Sequence, residues 1–302
     1  MTFDFSPADN KNIEKIQENN KPSLGYWQDA WLRLKKDKMA IAGLCFIVFL
    51  ILLALIGPMF SSIGYADQDF NNVNAGPSYE HWFGTDSLGR DLFIRVLYGA
   101  RISLSIGLIA SLINLVIGVL YGGISGLMGG KVDRIMMNIV DVLYSVPTLL
   151  YVILLMVVFK PGLLNIFIAL GISYWLQMAR IVRGQVLSIK EQEFVLAAIS
   201  MGASKWRLLT KHLIPNAVGA IVVSWSLSIP DAIFTEAFLS FIGLGVSAPM
   251  ASWGVLASEG INSMRGYPFQ LFFPAAAISL TMLAFNFLSD GLRDALDPKM
   301  RR

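Results

Sequence analysis

The sequence predicts an all-α membrane protein with six transmembrane helices and both termini cytoplasmic. Three observations carry that expectation. The 302-residue chain is 55% hydrophobic and only 15% charged, with a mean hydropathy of +0.59, a composition of polytopic membrane proteins rather than soluble domains. Six apolar runs, each near the roughly 20 residues that cross a bilayer as a helix, alternate with polar or Gly/Pro-containing stretches. The basic residues are divided unequally between the two faces that this layout defines.

Residues 1–22 are rich in Asn, Lys, Asp and Glu and are expected to form a disordered cytoplasmic tail. In 23–38, Tyr26, Trp27, Ala30, Trp31 and Leu34 fall at helical spacing, with Arg33, Lys35, Lys36 and Lys38 close behind. That pattern fits an amphipathic helix lying in the membrane interface, or else a solvated basic flank that orients the first span. Met39–Phe60 is the first span, ended by Gly57-Pro58, and 61–101 is too polar to cross and forms an extracytoplasmic loop. Residues 102–291 hold five more spans. Ile102–Leu127 carries Gly107, Gly118, Gly122, Gly123 and Gly126, which let neighbouring helices approach closely and place this span centrally. Ile135–Phe159 is interrupted by Pro147, and Leu163–Ile181 follows the turn Lys160-Pro161-Gly162. Asn216–Ser240 is expected to break near Pro230; Phe241–Phe269 reads as a Gly/Pro-rich loop. Gln270–Leu288 is the sixth span, and 292–302 a charged cytoplasmic tail.

Lys and Arg test this topology. Seven precede the first span, two lie between the second and third, six flank the fourth-to-fifth connection and four lie in the tail, which places 19 on one face. The other face holds five of the 24. Cytoplasmic loops carry the excess, so both termini and the segment 183–215 are expected inside.

Glu193–Asn216 is the anomaly of the chain, polar and basic between apolar spans. Gly202 suits a helix C-terminal cap because it tolerates positive φ, and Ser204 can cap a second short helix, Lys205–Leu213, closed by Pro215. Val195, Ala198, Gly202, Trp206, Leu209 and Leu213 recur at alternating three- and four-residue spacing and form one apolar face. The expectation is a helix–turn–helix with a docking face, too short and too charged to span.

Catalytic signals are weak. His81 and His212 fall on opposite faces, Cys45 is a lone cysteine in an apolar run, and no HExxH, GxSxG or Walker A pattern occurs. Neither a metal site nor an ATP site is expected, and the few, loop-confined cations argue against nucleic acid as a partner. Asp141, Asp231 and Glu236 are acids within predicted spans, where a charge costs about 2.5–3.5 kcal/mol at mid-bilayer. Asp231 and Glu236 are candidates for the wall of a translocation cavity or its gate, with interfacial hydrogen bonding as the alternative; Asp141, near the cytoplasmic surface, is read as structural. No carboxylate relay of a proton-coupled carrier is visible.

Ala197-Ala198-x3-Gly202 followed by Ile214-Pro215 resembles the EAA loop of ABC importer permeases, the cytoplasmic segment that docks on the ATPase subunit. Phe83-Gly84-Thr85-Asp86-x2-Gly89-Arg90-Asp91, Tyr98-Gly99-Ala100-Arg101-x-Ser103-Leu104, His212-x2-Pro215-Asn216, Leu239-Ser240-Phe241-x-Gly243-Leu244-Gly245 and Trp253-Gly254 are similar to the oligopeptide/dipeptide branch, and most to its second (C-type) permease subunit. The acid that names the EAA motif is replaced by Leu196, with Glu193 the nearest acid.

The resemblance implies a type I ABC importer permease fold in the bacterial cytoplasmic (inner) membrane. It implies a permease for di- or oligopeptides that forms half of a pathway with a homologous permease. Two cytoplasmic ATPases would bind ATP and Mg, since this chain holds no cofactor of its own and is no enzyme. An extracytoplasmic binding protein would deliver the substrate. Nickel chelates, glutathione or another small solute remain alternatives, as does a stand-alone secondary transporter. Glu193, Ala197, Ala198, Gly202, Ala203, Ser204, Trp206, Arg207, His212 and Pro215 are the expected ATPase-coupling residues. Gly84, Thr85, Asp86, Gly89, Arg90, Asp91 and Trp253 are expected at a binding-protein contact or outer gate, and Asp86 and Arg90 have an alternative role, capping and pairing within the loop.

Overall fold

The computed structural model describes residues 25–247 and 249–297. The expected tail at 1–22 and the last five residues of the C-terminal one lie outside them. The described elements are helical apart from a single Thr85–Asp91 bridge. Five helices are long and apolar enough to cross a membrane, and a sixth span is completed if one bent pair counts as a unit.

Helix α1 (Tyr26–Leu34) buries Ala30 and Leu34 and leaves Trp27 and Trp31 exposed, so the group read at helical spacing is divided between the protein and its outer surface. Asp37 then caps α2 (Lys38–Ile56), accepting from the Met39 and Ala40 backbone N–H groups at 2.9 and 3.2 Å. The third helix, α3 (Leu92–Met128), starts ten residues before the expected Ile102, because Asp91 supplies a cap to the Ile94 N–H at 2.9 Å. At 1.5 Å per residue its 37 residues extend about 55 Å, well beyond a hydrocarbon core of about 30 Å.

The predicted third span is two helices, α4 (Gly130–Tyr144) and α5 (Thr148–Phe159), meeting at 81°. Pro147 explains the corner: it cannot donate to the helical ladder and drives the preceding residue toward extended backbone. Helix α6 (Leu163–Lys190) continues past the expected end at Ile181, since Val182, Val186 and Ile189 remain on a buried stripe. Helix α3 packs most extensively on α6, with the glycine stripe at the contact. A methyl at Gly118 would stand 3.1 Å from the Trp175 carbonyl oxygen, and one at Gly126 3.1 Å from that of Arg183. The central position expected for the glycine-rich span is therefore observed, and its partner is α6.

After α7 (Glu193–Ser200), α8 (Lys205–Leu208) passes through a π-helical turn, Leu209–Leu213, directly into α9 (Ile214–Phe241). Pro215 therefore does not close the hairpin. It lies in the first turn of α9, and the wider π turn accommodates the residue that cannot donate. Nor does α9 break at Pro230, which is buried inside a continuous helix. One missing hydrogen bond is outweighed there by packing on α3, α6 and the last helix. The expected loop Phe241–Phe269 contains α10 (Trp253–Ser263), capped by Ser252 on the Val255 N–H. The last described helix is α11 (Phe269–Leu296), which takes in the first five residues of the expected tail and packs on α2, α9 and α10.

Candidate functional site

Three features stand out from this scaffold: a hairpin at one end, a polar clasp at the other, and a cleft between α6 and α9.

The hairpin is α7, a turn and α8. Gly202 has φ +80°, and the bonds Gly202 N–H to Ile199 C=O (2.9 Å) and Ala203 N–H to Ala198 C=O (3.0 Å) form a Schellman C-cap. Ser204 accepts from the Arg207 N–H at 3.3 Å to start α8. Open space surrounds Gly202, so Gly202→Ala meets no clash and the penalty is conformational, about 1 kcal/mol. Amide exchange across 200–205 should rise roughly fivefold in that variant; unchanged exchange would mean that the turn does not depend on left-handed backbone.

The apolar face of the hairpin is divided differently from the sequence pattern. Val195, Ala198, Leu209 and Leu213 are buried against Leu127, Met178, Val182, Val186 and Ile189 of the chain's own α3 and α6. Gly202 and Trp206 face outward instead. The exposed apolar surface comprises Phe194, Leu196, Ile199, Met201 (83% exposed) and Trp206 (62%). The cause is that the ends of α3 and α6 claim the inner face of a hairpin laid across them. Among the expected coupling residues, Glu193, Ala197, Ser204, Arg207 and Pro215 are exposed, Ala203 and His212 are half-buried and Ala198 is buried. Leu196, where the motif acid is absent, lies on the outward surface.

Beneath the hairpin, Asp133 of α4 receives both Arg183 Nε and Nη2 of α6 at 2.6 Å, and the Ser125 hydroxyl of α3 at 2.6 Å. Lys190 Nζ donates to the Leu127 carbonyl at 2.8 Å. These bonds tie three helix ends into one block. Asp141 pairs with Arg180 at 2.5 Å, consistent with a structural role, and both line an open cavity of about 640 Å³ between α4 and α6.

At the opposite end, Gly84, Thr85, Asp86, Gly89, Arg90, Asp91 and Trp253 are all buried, so none offers a surface to a binding protein. Their burial and hydrogen bonds display the capping and pairing within the loop that was the alternative role for Asp86 and Arg90. Asp86 accepts the Leu88 and Arg90 N–H groups at 2.8 and 3.0 Å, Arg90 Nε at 2.6 Å, and Arg95 Nη1. Glu259 of α10 accepts Arg95 Nη1 at 2.7 Å and Arg90 Nη2 at 3.2 Å, and His81 Nδ1 lies 2.8 Å from Asp91. Asp69, half-buried in the same loop, accepts from Asn72 Nδ2 and the Asn71 N–H, which hold its carboxyl below the usual carboxylate range. Gln270 of α11 donates to the Thr85 carbonyl at 2.9 Å. Arg95, Glu259 and Gln270 were not singled out in the sequence, since their partners lie far away along the chain.

Glu236 takes the hydrogen-bonding alternative of its two expected roles. It is fully buried, accepting Ser240 Oγ at 2.6 Å and Ser103 Oγ at 3.1 Å, while Ser103 in turn accepts the Trp253 N–H. Three helices, α3, α9 and α10, meet on this carboxylate, and it lines none of the described cavities. Trp253 Nε1 donates to the Val96 carbonyl at 3.0 Å and reinforces the junction.

Asp231 does line a cavity wall. Two adjoining clefts between α6 and α9, of about 220 and 230 Å³, share Tyr174, Gln177 and Asp231. Tyr174 donates its hydroxyl to the Asp231 carbonyl oxygen at 3.2 Å, fixing the upper end of the cleft. The Asp231 carboxylate is exposed to the cleft and has no hydrogen bond or ion pair among the described residues. An ionisable group so far along a span faces a partner or an aqueous cavity rather than lipid.

A bundle of long apolar helices with a charged hairpin at one end and a polar-walled cleft along its face defines a multi-pass membrane permease. Residues 115–302 match the family described as binding-protein-dependent transport system inner membrane component, and residues 25–77 match the N-terminal transmembrane domain of oligopeptide transport permease C. The chain is 54% identical over 300 residues to the oligopeptide transport system permease protein OppC of Bacillus subtilis, covering 99% of this chain and 97% of that one. It is 55% identical to the dipeptide transport system permease protein DppC of the same organism, over 96% of this chain and 92% of that one. The Escherichia coli K12 OppC protein is 48% identical, with 98% and 99% covered. The chain belongs to the family of binding-protein-dependent transport system inner membrane components, and is a multi-pass protein of the bacterial inner membrane.

Proposed function

We propose that this chain is one of two permease subunits of an ATP-driven importer of di- or oligopeptides. Its partners are a homologous permease, two ATPases that bind Mg-ATP, and an extracytoplasmic binding protein. The hairpin and both termini lie in the cytoplasm, in keeping with the basic-residue excess on that face. The chain carries no chemistry of its own; it converts ATPase movement into a change of access.

One observation carries this reading. Trp206, on the outward apolar surface of the hairpin, belongs to a helix that runs without interruption from Lys205 to Phe241, and the rest of that surface, on α7 and Met201, joins it through the Gly202 turn. A partner gripping Trp206 thereby holds the same helix that bears Asp231 at the cleft, with Met201 beside it across the turn. ATP binding biases the ATPase pair toward one arrangement, and that helix transmits the bias to the cleft. The polar bonds of Asp133 and Lys190 hold the ends of α3, α4 and α6 beneath the hairpin together as one block.

The test is a complex reconstituted in proteoliposomes with Met201→Asp and Trp206→Asp together. Both side chains are exposed, so the fold should be kept, and a lost central apolar anchor is worth about 2 kcal/mol or more. Co-purification of the ATPases and uptake of labelled trialanine should fall at least about tenfold, with unaltered membrane insertion. Retained ATPase capture, or peptide uptake by the purified chain with no ATPase present, would sink the proposal.

A further inference from the structure

We propose that the α6–α9 cleft reads the two ends of a short peptide, Asp231 binding its α-ammonium group and Arg293 its α-carboxylate. This deepens the peptide-importer reading and rests on it. Four observations on the cleft point to such a ligand.

Its two ends carry opposite charge. Asp231 of α9 and Arg293 of α11 line the same 230 Å³ space. Arg293 also lines a second hollow beside Asn216, Gly219 and Val223, which places it toward the hairpin end of α9. It pairs with exposed Asp290, one turn back, at only 3.9 Å, and its side chain remains 58% exposed.

The spacing suits a peptide. Val223 to Asp231 is eight residues of helix, about 12 Å at 1.5 Å per residue. An extended chain advances about 3.3–3.6 Å per residue, so about three residues fit along this stretch of the cleft wall.

The wall between them can pair with a peptide backbone. Asn114 of α3 is 3% exposed, lines the cleft, and its Oδ1 has no hydrogen-bond partner among the described residues. A buried acceptor left empty costs about 1–3 kcal/mol, and a peptide N–H lying in the cleft would satisfy it. Gln177 and Ser224 add an amide and a hydroxyl on the facing helices. Backbone groups and charged termini are common to all peptides, so such a site is indifferent to side chains.

The cleft is also mounted on the transmission element. Asp231 rides on the rod that continues into the hairpin, whereas Asn114 belongs to α3 and Arg293 to α11. A shift of α9 against those helices changes the distance between the two charged ends. Binding at the cleft and movement of the hairpin are thus coupled in this geometry.

The experiment uses the full complex in proteoliposomes with its binding protein outside and ATP inside. Uptake kinetics are compared for trialanine, N-acetyl-trialanine and trialanine amide. The binding protein is the same in every arm, so its own selectivity cancels in the ratio of variant to wild type. Asp231→Asn should raise KM for trialanine at least about tenfold with a smaller change in kcat, leave the ratio near one for the N-acetyl peptide, and be rescued by Asp231→Glu. Arg293→Gln should raise KM for trialanine and its N-acetyl form, and leave the ratio near one for the amide. Wild-type uptake with the same variant ratios for all three peptides overturns the cleft assignment alone. A wild-type complex that imports other solutes and no peptide overturns the peptide reading beneath it.

Discussion

Replacing Arg95 with methionine should destabilise the protein by about 3 kcal/mol, lowering the thermal midpoint of the purified chain by roughly 6 °C. Arg95 is 1% exposed and joins Asp86 of the loop to Glu259 of α10. Its removal leaves Asp86, also buried, with one of its two guanidinium partners. Breaking one side of a buried ion pair is costly because the remaining charge stays out of water, whereas removing both sides is often tolerated. Arg95→Met with Asp86→Leu should accordingly cost less than the sum of the two single changes. Glu259→Gln is the contrast. That side chain is 42% exposed and water can replace its partners, so about 1 kcal/mol or less is expected. A midpoint for Arg95→Met within 1 °C of wild type would show that the clasp contributes little to stability.

Gly122→Ala should cost about 1–3 kcal/mol although it adds one methyl group to a helix interior. The added carbon would overlap the Ala179 carbonyl oxygen and stand 3.0 Å from its Cα, and backbone cannot step aside as a flexible side chain can. Helices α3 and α6 would have to separate along the stripe that also carries Gly118 and Gly126. Gly184→Ala, on α6 but with nothing within 4 Å of the new carbon, gains helix propensity without a clash. It should be neutral or stabilise by about 0.5–1 kcal/mol. Thermal unfolding of both variants in one detergent decides the matter. Equal effects of the two substitutions would indicate that glycine flexibility, rather than close approach, governs the position.

Much of the hairpin was legible along the chain because its determinants are local. A glycine with nothing but positive φ to offer, a serine two residues later and a run of helix formers specify a cap and a restart within a few residues. Which face of that hairpin looks outward was not legible. Val195, Ala198, Leu209 and Leu213 share a stripe with Gly202 and Trp206 by spacing, yet the first four are buried on α3 and α6. The same limit explains the Gly84–Asp91 segment. Its charges read as an exposed contact in one dimension and are sequestered by Arg95 and Glu259 in three.

The membrane class, the positions of the long apolar helices and the asymmetry of basic residues were determined by the sequence itself, since hydropathy and loop charge need no tertiary partner. The glycine stripe on α3 was marked there too, but α6 as its neighbour was not. Tertiary structure alone decided three things: that Pro147 turns a span by 81° while Pro230 leaves its helix continuous, that Glu236 is enclosed while Asp231 borders a cleft, and that α8 of the hairpin is one helix with α9. The reason is common to all three. A proline or a carboxylate in a span has an unmet bonding requirement whose outcome depends on which distant groups arrive beside it. Two serines came to Glu236, and Asp231 was left facing the cleft.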